Sequence, residues 1–63
     1  MKSNRLEVQY DYGEGWCAFA GFYDESVFLR KAKMSLKRGR QMFPNYKFRL
    51  MVVAPDGIEK EIS

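Results

Sequence analysis

Histidine is absent from this chain and cysteine occurs once, at Cys17. Without imidazole, no side chain titrates near neutral pH at its ordinary pKa, and the Cys17 thiol has no imidazole to activate it, so general acid–base and nucleophilic catalysis lack their usual carriers. The same shortages leave no structural zinc ligand set, and Asp11 with Glu14 is too sparse for a calcium loop. Gly13-Glu14-Gly15 is no phosphate loop either, since the Walker spacing is missing and an acid sits between the glycines. We therefore expect no enzyme activity, no catalytic residue, no metal and no cofactor. A lone cysteine cannot close an internal disulfide, the staple of small secreted domains, which points to a reducing cytoplasm; Cys17 reads as a small buried hydrophobe. No apolar run approaches the ~20 residues of a membrane span, and no apolar signal-peptide core follows the basic N-terminus. A soluble, cytoplasmic protein with no membrane partner is expected.

A second absence is more local. Between Ser26 and Pro55 there is no Asp or Glu, yet the segment carries Arg30, Lys31, Lys33, Lys37, Arg38, Arg40, Lys47 and Arg49. It is thus +8 and the remainder −5, so the modest net charge of +3 conceals a dipole along the chain. A field of one sign speeds association with partners of the other, which makes an anionic surface the expected target.

Sixty-three residues, 46% of them hydrophobic and 16% aromatic, make one small domain that folds but has little room for a deep pocket. Leu6, Val8, Tyr10 and Tyr12 alternate with polar residues as in a half-buried strand. Gly13-Glu14-Gly15 turns the chain into a second extended run, Trp16 to Phe22. Strict alternation there puts Trp16, Ala18, Ala20 and Phe22 on one face and Cys17, Phe19, Gly21 and Tyr23 on the other; both are largely apolar, so the face that meets the helix is open. Asp24 is a plausible N-cap for a helix running to about Phe43, stopped by Pro44. Leu29, Ala32, Leu36, Gly39 and Phe43 form its buried stripe, flanked by Phe28, Ser35 and Met42, and Gly39 implies a close approach of helix to sheet. Tyr46 to Val53 gives a third strand, Pro55-Asp56-Gly57 a turn, and Ile58 to Ile62 a short fourth strand. The expected fold is α+β, ββαββ: an antiparallel sheet with one helix packed on one face, its hairpins at about 5–23 and 46–62 and its helix at about 25–43.

Opposite the buried stripe lie Val27, Arg30, Lys31, Met34, Lys37, Arg38 and Gln41. An apolar pair one heptad apart inside a cationic rim matches the apolar centre and polar rim of a docking patch. A second candidate surface is the uncovered sheet face, where Phe19 and Tyr23 are expected beside Lys47 and Arg49 to stack bases and neutralise phosphates. The favoured reading of these side chains is packing under the terminal strand or across a homodimer contact. Gly15-Trp16-Cys17 is similar to the start of the sheet motif of RNA-recognition modules, but Glu14 replaces the motif's cation and Ala18 its aromatic residue.

The order of hairpin, Trp16, helix, Pro44 turn and the strand Tyr46-Lys47-Phe48-Arg49-Leu50-Met51-Val52-Val53 resembles small early proteins of bacteriophages and mobile elements. That resemblance implies a compact α+β fold without catalytic residues, acting in a host cytoplasm by binding and inhibiting a host or defence machine. The leading expectation is a basic helix face docked on an acidic protein surface. The alternative is nucleic-acid binding through the helix cations together with Lys47 and Arg49.

Overall fold

The computed structural model describes residues 3–62. Strand β1, Arg5–Asp11, leads through a four-residue loop into β2, Trp16–Phe22. Gly13 and Gly15 in that loop have φ of 112° and 107°, where a side chain is disfavoured. The Asp11 carboxylate binds the loop from below, accepting from the Gly13 amide at 2.6 Å and the Gly15 amide at 3.2 Å. Helix α1 follows at Glu25–Met42, then β3 at Lys47–Val53 and β4 at Glu59–Glu61. All strand pairs are antiparallel and the sheet order is β2-β1-β3-β4, so the helix carries the chain from the edge strand β2 across β1 to β3. The ββαββ architecture expected from the sequence is therefore present, with β4 trimmed to three residues.

Asp24 caps the helix in extended geometry (φ −141°, ψ 114°), accepting from the Ser26 amide at 3.0 Å and the Ser26 hydroxyl at 2.7 Å. These two donors, the hydroxyl first, hold the Asp24 carboxyl below its ordinary 3.8. The Glu25 amide donates to the Asn4 carbonyl at 2.9 Å, tying the helix start to the entry of β1. At the other end the Phe43 amide closes on the Gly39 carbonyl at 2.9 Å before Pro44 ends the helix.

The main core is an apolar layer between helix and sheet, with Leu6 and Val8 from β1, Phe48 and Leu50 from β3, and Ala32 and Leu36 from α1, while Met51 and Val53 are buried on the other side of β3. Tyr10, Ala20, Phe22, Leu29 and Val52 pack around it. Burying each large aliphatic side chain stabilises by about 1.5–3 kcal/mol, and only Leu6, Leu50 and Val8 among the large residues are completely enclosed. Gly39 sits directly on Phe48, where a Cβ would lie 2.5 Å from a ring carbon. The close approach inferred from the sequence is real, and a ring fills it.

The second strand settles differently from strict alternation. The register runs Leu6↔Phe22 and Val8↔Ala20, then slips so that Gln9 faces Ala18 and Asp11 faces Trp16. Phe19 is the extra residue of a β-bulge, and a bulge re-aims side chains. Phe19 consequently turns to the helix side, 5.3 Å from the Phe48 ring at 89° and 6.1 Å from Tyr10. Trp16 goes to the other side, where the Arg49 guanidinium lies 4.0 Å over its ring. Cys17 is half-buried rather than enclosed, with Sγ 3.9 Å from the Gly15 carbonyl.

Candidate functional site

The exposed face of α1 is continuous and basic. Val27 and Met34 are 66% and 61% exposed, and Arg30, Lys31, Lys37, Arg38 and Gln41 around them are all exposed. Met34 is the centre. Shallow depressions flank it on both sides, one lined by Leu29, Arg30, Lys33 and Lys37, another by Lys31, Ser35 and Arg38, with a third towards Gln41. Among the described residues the single salt bridge is Arg5 to Glu7 at 3.9 Å, on the sheet, so Arg30, Lys31, Lys33, Lys37 and Arg38 meet no carboxylate within 4.0 Å. Arg40 is different: its Nη2 donates to the Phe48 carbonyl at 3.3 Å. The seven residues singled out on the helix thus share one surface, and its charge is uncompensated.

The uncovered sheet face is a polar chain rather than a cationic platform. Arg49 stacks on Trp16 and donates from Nε to Gln9 Oε1 at 2.7 Å; Gln9 Nε2 donates to Glu7 Oε1 at 2.6 Å; Glu7 in turn faces Arg5. Lys47 is paired in register with Asp11, and Met51 and Val53 with Glu61 and Glu59. Acids therefore interleave with cations. The four residues Phe19, Tyr23, Lys47 and Arg49 do not come together as one surface: the bulge carries Phe19 to the helix side, and Tyr23 lies past the strand end, 89% exposed. Lys47 and Arg49 project opposite to Phe48, hence away from the helix, so the eight cations of the acid-free segment are split between two sides of the molecule.

No protein-family model, curated protein or solved structure matches this chain.

Sequence reasoning missed an aromatic cleft at the end of the molecule where α1 finishes. Tyr10, Phe19, Phe43, Tyr46 and Phe48, with Ala18, line a cavity of about 260 Å³. Phe43 and Tyr46 stack at 5.3 Å and 5°, Tyr10 and Tyr46 at 6.0 Å and 21°, and Tyr12 extends the row from Tyr10 at 6.0 Å. Helical spacing puts Phe43 in the buried stripe, but as the C-cap residue it is 37% exposed, with its ring stacked on Tyr46. The sequence signal was the register of Tyr10 and Tyr12 opposite Tyr46 and Phe48, which needs strand pairing to be visible. Among the described residues no group of three His, Cys, Asp or Glu is placed to hold a metal. No described helix is long and apolar enough to cross a membrane.

Proposed function

We propose that this domain is a non-enzymatic binding module of the cytoplasm that docks the α1 face centred on Met34 against an acidic protein surface, where it inhibits or modulates the partner. The observation that supports it is the conjunction on one helix of two exposed apolar side chains with five cations that meet no carboxylate among the described residues. An apolar centre with a charged rim is how protein interfaces divide affinity from specificity and approach rate. Nucleic acid is the weaker target, because Lys47 and Arg49 lie across the sheet from the helix and are matched there by Asp11 and Gln9. Phosphate binding would then rest on the helix cations alone.

The test is affinity capture from the cell of origin by the wild-type protein and by the double variant Val27→Ser/Met34→Ser, each with and without nuclease. Docking predicts capture that survives nuclease and is lost in the double variant. Capture by the folded double variant at wild-type level refutes it. A parallel titration with short DNA and RNA at two salt concentrations separates the alternative, since each phosphate contacted contributes a log–log salt slope of about −0.7 to −0.9.

A further inference from the structure

The two edges of the sheet are treated very differently. On the β4 side, the edge strand is three residues long and every one is charged. Two outer carbonyls of β3 beyond the reach of β4 are capped: the Leu50 carbonyl accepts from the Ile62 amide at 2.9 Å, and the Phe48 carbonyl from Arg40 at 3.3 Å. Short length, charge and capped carbonyls are how a sheet edge is kept from pairing with another chain.

β2, at the opposite edge, has none of these protections. Its seven residues, WCAFAGF, include no charge and no proline. Beyond the ladder with β1, no hydrogen bond reaches its backbone among the described residues. The bulge at Phe19 bends the edge but puts no charge on it. Trp16, Phe19 and Tyr23 are exposed along or just past it.

We infer that β2 pairs antiparallel with β2 of a second copy of this chain, joining two sheets edge to edge. A foreign acidic strand would find no cation on β2 to meet, whereas the strand meets itself without like-charge repulsion even though the protein is +3 overall. Antiparallel pairing of a strand with itself is closed by a two-fold axis, so no edge is left to propagate. That axis brings the end of β2 near Tyr23 in each copy beside the opposite end of β2 in the other. Ala18 and Phe19, mid-way along β2, also line the aromatic cleft and would add apolar contact to the ladder. The axis also stands perpendicular to the sheet, which sets both helices on the same side with their basic faces presented together. The pairing stands independently of what the helix docks against.

Sedimentation velocity over a concentration series, with amide exchange read at both ends of it, tests the inference on the wild type and on Gly21→Lys. A Cβ at Gly21 meets nothing within 4 Å, so this variant places a cation on the edge of a domain that still folds, which its melting curve verifies. The expected result is a wild-type mass that doubles with concentration, outward-facing amides of Trp16–Phe22 (those not bonded to β1) that become protected in step, and a dissociation constant raised at least about tenfold in the variant. A wild type that stays monomeric throughout overturns the inference. So does a dimer that Gly21→Lys leaves intact while the β2 amides exchange at one rate at all concentrations, which would place the contact on the helix or the uncovered sheet face. Protection of β2 that requires a different protein also overturns self-pairing.

Discussion

Replacing Gly39 by Ala sets two effects of known sign against each other. In a helix interior Ala is favoured over Gly by about 0.5–1 kcal/mol, so propensity alone predicts a more stable protein. Here the added Cβ would lie 2.5 Å from Phe48 Cε2 and 3.0 Å from two further ring carbons, against the 3.4 Å at which ordinary contact begins. The ring would have to retreat by about 1 Å. Phe48 is 7% exposed, edge-on against Phe19 at 5.3 Å and tilted against Tyr10 at 6.1 Å, so its retreat has to disturb both of these contacts and crowd the aromatic cleft that the three rings line. A 2.5 Å approach belongs in the upper part of the ~1–3 kcal/mol that overpacking costs, about 2–3 kcal/mol, which less the propensity gain of about 0.5–1 kcal/mol leaves a net loss of about 1–2.5 kcal/mol. For a domain this small that is a fall in Tm of roughly 5–15 °C. Thermal unfolding followed by circular dichroism measures it, and a cycle with Phe48→Leu assigns the cause. With the smaller side chain beneath, Gly39→Ala should cost at least about 1 kcal/mol less than in the wild type. A variant as stable as the parent, or the same cost in both backgrounds, refutes the steric account.

Arg49→Leu removes the donor to Gln9, which is 8% exposed, and should destabilise by about 1–3 kcal/mol while changing the emission of Trp16, the single tryptophan; unchanged emission would mean the guanidinium does not rest on the ring. The double variant Val27→Ser/Met34→Ser touches only exposed positions, so its Tm should correspond to a change within about 0.5 kcal/mol of wild type, and a larger loss would show these side chains to be structural. The folded-state pKa of Asp24 is depressed, so its contribution to stability is complete above its ordinary 3.8 and is lost as pH falls through the lower folded value. Asp24→Asn should keep the cap and flatten that part of the acid-unfolding profile; an unchanged profile would show that another carboxylate governs it.

The first strand was readable because its two faces differ: Leu6, Val8 and Tyr10 want the core, Glu7, Gln9 and Asp11 do not, and a one-residue slip would exchange them. The helix was readable for the same reason, together with its Asp24 cap and Pro44 stop. The second strand was not, because Trp16–Phe22 is apolar on both faces and no local pattern says which side is inward. Its bulge arises only against β1, and the bulge is what sends Phe19 to the helix and Trp16 to Arg49. The sheet-face grouping of Phe19, Tyr23, Lys47 and Arg49 loses Phe19 to that one residue of slip and Tyr23 to its place past the strand end. Gly39 lies between these extremes: its place in the buried stripe announced a close approach, but Phe48 as the thing approached is a contact between α1 and β3.

Sequence alone determined the order of the elements, the faces of β1 and α1, and the gathering of cations onto a helix with Val27 and Met34 among them, because each depends on periodicity and capping within a short stretch of chain. Tertiary structure decided which cations share a surface. It did so by placing α1 on one side of the sheet and the side chains of Lys47 and Arg49 on the other, a consequence of strand alternation combined with helix placement. It likewise decided that β2 is an outer strand with unpaired backbone, since strand order follows from long-range pairing and leaves no trace in local pattern.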